Sequence, residues 1–160
     1  MKKGNCVVTV SGSVVYTPRE KYFVDNLLVN CGDEDRIGRF VNTFDQVVVG
    51  NFMYVSTKLA LIRWVRRTAP SWAAHGVNIN AVAPGAVATT IMEGTLPKTL
   101  VEHGYYLPMP TLTGRKGIMK PDEIAQALAF LVSPGAKGCC GTVLFCDTGT
   151  ETILNMEKVY

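Results

Sequence analysis

The chain contains no stretch near the ~18 consecutive apolar residues that a bilayer-spanning helix needs, so a membrane span is not expected. Lysine and arginine are scattered, with no basic run and no interleaved aromatics, and a formal charge of +3 therefore argues against tracking a phosphate backbone. Cys6, Cys31, Cys139, Cys140 and Cys146 make an odd number and form no CxxC pair, which points away from both a disulfide framework and a zinc site. A reducing cytoplasm suits such a set. Histidine is scarce: His75 and His103 are far apart and lack acidic or cysteine partners at ligand spacing, so no metal is expected. Repeats and low-complexity tracts are also missing. The opening MKKGNCVVTVSGSVV superficially imitates a signal peptide, but Thr, Ser and Gly interrupt its apolar residues, and it reads better as a strand.

Apolar residues are plentiful, at 48% of 160, and charged ones make up only 18%. A chain of this size can bury roughly two-thirds of its unfolded surface, so residues 1–160 are expected to form one domain. CVVTVSG (6–12), VNINAVAPG (77–85) and GTVLFCDTG (141–149) are short, β-branched runs closed by turn residues, the signature of buried parallel strands. A helical pattern fills residues 51–75, with Pro70 as a candidate kink and Gly76 as a stop. PDEIAQALAFLVS (121–133) opens with proline and two carboxylates, as helix N-termini favour. Residues 16–50 are irregular, with one or two short helices expected, and GAKGCCG (135–141) reads as a turn. Strand, helix, strand, helix, strand is the order of a parallel α/β sheet.

The stretch YVSTK (54–58) places Tyr54 and Lys58 one helical turn apart, where both can reach the same small molecule. An ammonium beside a phenol favours the phenolate, which suits proton transfer between a carbonyl and an alcohol. Alone, the same spacing also occurs by chance on solvated helix faces. Arg63, Arg66 and Arg67 form either a basic patch or a solvated face, and Trp64 and Trp72 are packing or subunit-contact residues.

In order along the chain, YVSTKLAL, HGVNINAVAPGAVATT, PDEIAQALAFLVS and GTVLFCDTG resemble the active-site helix, the strand and Pro-Gly turn, the penultimate helix and the last strand of the short-chain dehydrogenase/reductase family. The spacing of WAAHGVNINAVAPG and the tail TETILNMEKVY are similar to members of the 3α-hydroxysteroid dehydrogenase/carbonyl reductase type, which carry an insertion ahead of the active-site helix. The resemblance implies a partial Rossmann-like, doubly wound parallel sheet that lacks the glycine-rich N-terminal half. It also implies NAD or NADP as cofactor and an alcohol or ketone on an apolar, steroid-like skeleton as substrate. Tyr54 would move the proton and Lys58 would hold the nicotinamide ribose. Pro84, Gly85 and Val87 would line the nicotinamide, and Thr89 would reach its carboxamide or the pyrophosphate. Ser13 would hydrogen-bond the substrate oxygen, with Ser11 the alternative, because direct alignment places Gly12 at that position.

The family's TGxxxGxG turn, its NAD/NADP-selecting residue and its NAG-type segment have no counterpart here, and Asp147-Thr148-Gly149 stands where Asp-Gly-Gly is usual. Gly114 and Arg115 are present in a longer segment than usual. Residues 92–119 would close over the substrate or form an ordinary surface loop. A sheet cut near its middle exposes a strand edge, so a homo-oligomer or a related subunit is the expected partner. The alternative function is a non-catalytic remnant that binds or assembles through that edge.

Overall fold

The computed structural model describes residues 4–9, 21–90 and 118–156. Its elements are β1 (Gly4–Thr9), α1 (Lys21–Val29), α2 (Glu34–Val41), α3 (Gln46–Ala74), β2 (Val77–Pro84), α4 (Pro121–Val132), β3 (Val143–Cys146) and α5 (Thr150–Asn155). The strands form one parallel sheet in the order β1-β2-β3, with Thr9 opposite Val82 and Pro84 opposite Cys146. Parallel neighbours require crossovers, and the described part of each contains helix: α1 to α3 in the first and α4 in the second.

β2 is the central strand, and its side chains alternate between two covered faces. Ile79, Ala81 and Ala83 meet α3 through Val65, Ala69 and Ile62, joined by Val143 of β3. On the opposite face Val82 packs with Ile124 and Leu131 of α4, Ala136, Leu144 and Cys146. Val65, Ile79, Ala81, Val82 and Ala83 have no solvent exposure. That two-sided burial is why VNINAVAP reads as a nearly continuous apolar run. Its one buried amide, Asn80, is satisfied at both ends: Nδ2 donates to the Cys139 carbonyl (3.0 Å), and Oδ1 accepts from the Thr142 amide (3.0 Å).

The helix expected from residue 51 starts at Gln46, five residues earlier. Gly50 lies within it, exposed, with nothing within 4 Å of a Cβ built there. Pro70 also lies inside, and the helix runs through it to Ala74. The last turn is anchored on both sides of that proline, by Ala69 in the cluster with Ile79 and Ala81 and by Trp72, whose ring meets Trp64 edge-on at 6.0 Å. His75 sits at the helix end, its Nδ1 2.7 Å from the Ser71 carbonyl oxygen.

Residues 16–50 were expected to hold one or two short helices, and α1 and α2 are found there. Asp33 caps α2 by accepting from the Arg36 amide (2.9 Å), with Glu34 and Asp35 in the first turn. Phe23 of α1 meets Phe40 of α2, Phe44 and Phe52 of α3 at centroid distances of 5.4, 5.0 and 5.9 Å. This aromatic cluster ties the irregular region to the front of α3. The third strand is shorter than 141–149: its ladder stops at Cys146, and Asp147-Thr148-Gly149 forms the turn into α5.

Candidate active site

In a parallel α/β sheet, ligands are met at the carboxyl ends of the strands, and here those ends are Pro84 and Cys146. α3 runs antiparallel to β2, with Ala69 and Val65 near Ile79 and Ala81, and Ile62 against Ala83. The turns of α3 that precede Ile62, with Lys58 and Tyr54, therefore continue toward the carboxyl end of β2. Tyr54 and Lys58 point the same way: the Lys58 Nζ stands 5.5 Å from the centroid of the Tyr54 ring. The Tyr54 side chain is open to solvent, with 51% of the residue exposed, while Lys58 is half-buried. Thr57, next to Lys58, spends its hydroxyl on the Tyr54 carbonyl oxygen (2.7 Å) and faces outward.

Pro84 and Gly85 close β2, and the Gly85 amide donates to the Cys146 carbonyl (2.9 Å). A side chain at Gly85 has no room. A Cβ there would lie 2.7 Å from the Asp147 Cα and 2.9 Å from its Cβ. The loop beyond is pinned by Met119, which accepts from the Ala88 amide (2.9 Å) and donates its own to the Ala86 carbonyl (2.8 Å), bringing Val87 into a bridge with it. Val87 is half-buried beside the α4 cluster, and Thr89 is exposed.

The β3–α5 turn is organised by Asp147, which is 95% buried at 5% exposure. Its Oδ1 accepts from the Gly149 amide (3.0 Å) and its Oδ2 from the Glu151 amide (2.7 Å), while its carbonyl accepts from the Thr148 and Thr150 hydroxyls (2.7 and 2.9 Å). Burial first, and then the Asp147 carboxylate, push the neighbouring Cys146 thiol above its ordinary value. Ser56 is fully buried, and among the described residues its Oγ has no hydrogen-bond partner.

A family model described as enoyl-(acyl carrier protein) reductase matches residues 40–151. The chain belongs to the short-chain dehydrogenase/reductase family. Among curated dehydrogenases, the 3-alpha-hydroxysteroid dehydrogenase/carbonyl reductase of Comamonas testosteroni is 32% identical over 105 residues, covering 66% of this chain and 40% of that protein. The galactitol 2-dehydrogenase (L-tagatose-forming) of Cereibacter sphaeroides is 39% identical over 98 residues, 60% of this chain and 36% of its own length. The chain thus spans less than half the length of these curated relatives. The crystal structure of the 3-alpha-hydroxysteroid dehydrogenase from Pseudomonas sp. B-0831 complexed with NADH superposes with a TM-score of 0.78 at 29% identity, covering 98% of this chain and 58% of that one.

Within this short-chain dehydrogenase/reductase chain, Tyr54 and Lys58 share one turn of α3, Pro84 and Gly85 close β2, and Val87 and Thr89 follow on the loop. Ser13 and its alternative Ser11 lie outside the described residues, as do Gly114, Arg115 and all of 92–119 except its last two residues. The helical stripe that holds Tyr54 is not the buried one, which runs through Val49, Ser56, Ala60, Ile62, Val65 and Ala69. Sequence reasoning did not foresee the contact between Gly85 and Asp147, since those residues are 62 positions apart. Its one trace was the Asp-Thr-Gly triplet. The buried Ser56 left no separate trace, because it is hidden inside the YVSTK motif itself.

Proposed function

We propose that the chain carries the proton-transfer half of an NAD(P)-dependent oxidoreductase that interconverts a hydroxyl and a carbonyl on an apolar skeleton such as a steroid. The observation that carries the reading is the Lys58 ammonium over the face of Tyr54, one turn apart on α3. The Comamonas relative's name and the NADH in the Pseudomonas structure support the substrate and cofactor class.

The residues present fit the nicotinamide end of a dinucleotide. Tyr54 is accessible, and half-buried Val87 adds an apolar wall. The pyrophosphate end has no glycine-rich TGxxxGxG turn on this chain to meet it. When bound, the nicotinamide supplies or takes up the hydride. Tyr54 gives the proton from its phenolic oxygen to the substrate oxygen in reduction and takes it back in oxidation. Lys58 stabilises the negative charge left on that phenolic oxygen and holds the ribose hydroxyls. Pro84, Gly85 and Val87 flank the nicotinamide, Thr89 reaches its carboxamide or the pyrophosphate, and Ser13 orients the substrate oxygen. A second polypeptide, either a copy of this chain or a related subunit, completes the sheet, and the cytoplasm is the compartment that suits the thiols.

Titration with NADH or NADPH tests the reading, with enhanced nicotinamide fluorescence as the expected result. No enhancement at about millimolar cofactor overturns it. Where turnover of a ketone is measurable, Tyr54→Phe is expected to lower it by about 100-fold or more while leaving NADH affinity within about threefold. Equal turnover by the variant would remove Tyr54 from the chemistry.

A further inference from the structure

Gly85 and Asp147 meet where two chain reversals touch: the bend after β2 and the turn after β3. The Gly85 amide is tied to the Cys146 carbonyl, and its Cα faces the Asp147 main chain so closely that a Cβ would lie 2.7 Å from the Asp147 Cα and 3.3 Å from its carbonyl carbon. The Asp147 backbone is therefore the surface against which the bend rests. What holds that backbone in place is its own carboxylate, which takes two amides of the α5 start, together with two hydroxyls on its carbonyl. The turn also contains two residues at positive φ, Thr148 (58°) and Gly149 (91°), a conformation that Thr148 adopts only against a local cost. Five hydrogen bonds, counting the Thr150 amide that donates to the Asp147 carbonyl (3.3 Å), converge on this one buried residue and over-determine the turn.

We propose that Asp147 is a positioning residue for the nicotinamide end of the cofactor: through the β3–α5 turn it sets the Pro84-Gly85 bend, and it makes α5 part of the pocket's support. This rests on the functional reading above. It does not require Asp147 to touch the cofactor. Its carboxylate is fully engaged within the turn, so its effect passes through the backbone. Loss of the carboxylate frees the Gly149 and Glu151 amides, loosens the turn and lets the bend drift, and small displacements at a binding wall are costly.

Two variants and two readouts test this on the full chain. Asp147→Ala removes both acceptors; Asp147→Asn keeps the shape and one acceptor and gives a partial rescue. The first readout is hydrogen exchange, in which the Gly85 amide should exchange faster in Asp147→Ala, by about tenfold or more, while amides in the Tyr54–Lys58 turn of α3 keep their protection. The second is NADH affinity, expected to weaken about tenfold in Asp147→Ala and by a smaller factor in Asp147→Asn. A uniform rise in exchange across the sheet, or unchanged exchange at Gly85, overturns the proposal, because it would make Asp147 a general stabiliser or an idle one. NADH binding that both variants leave unchanged overturns this proposal alone. Absence of NADH binding by the unsubstituted chain overturns it together with the functional reading.

Discussion

Thr148 takes a φ of 58°, a region that β-branched residues avoid because the Cβ crowds the backbone. Its hydroxyl recovers part of that cost by donating to the Asp147 carbonyl at 2.7 Å. Glycine at this position enters the same conformation without strain but loses that bond and gains unfolded-state freedom. The balance favours the folded state: Thr148→Gly is expected to stabilise the chain by about 0.5–1 kcal/mol, read as a rise in denaturation midpoint at unchanged slope. A lower midpoint would mean that the hydroxyl bond outweighs the strain. Gly85 is the opposite case, since it is demanded by close approach rather than by φ. The sequence shows a Pro-Gly pair, but only the fold shows that the missing Cβ makes room for Asp147.

At the scale of elements, α3 carries the site, and its length was underestimated from the sequence. The helical pattern starts at residue 51, just after Gly50, and marks Pro70 as a candidate kink. Both residues lie inside the observed helix, because Val49, Ile62, Val65 and Ala69 bury one face against the rest of the chain, and burial outweighs a weak local preference. Gly50 still has its intrinsic cost. It is exposed, and nothing lies within 4 Å of a Cβ built there, so Gly50→Ala should stabilise the chain by about 0.5–1 kcal/mol in thermal or denaturant unfolding. Unchanged or reduced stability would show that the first turn of α3 is not helical in solution. The phenylalanine cluster could not be read from the sequence, since Phe23, Phe40, Phe44 and Phe52 follow no single period; they meet only because α1 and α2 fold back on the front of α3. The Arg63–Asp25 pair (3.4 Å) joins the same elements, but as a half-exposed ion pair it adds little.

For the molecule as a whole, a three-stranded parallel sheet is small for its class, and such sheets are normally covered on both faces and extended on either side. β1 and β3 each pair only with β2 among the described residues, which leaves two outer edges, and Phe145 of β3, Phe130 and Val132 are large apolar residues in contact with solvent. Open edges and apolar surface favour association. Light scattering is therefore expected to give a mass at or above twice the 17.4 kDa of one chain. A monodisperse single chain that binds no hydrophobic dye would refute association through these edges. Among the described residues no helix is long and apolar enough to cross a membrane.

Period and punctuation alone were enough to locate the three parallel strands, the helix that begins at Pro121 and the Tyr54–Lys58 spacing, because each depends on neighbours within a few residues. Tertiary structure decided everything that depends on distant residues meeting. It carried α3 through Gly50 and Pro70, buried Ser56 without a partner among the described residues and set Asp147 against a glycine 62 positions away. The physical reason is that local patterns record which face of an element is apolar, whereas contact across elements depends on how those faces pack, and packing is a property of the whole chain.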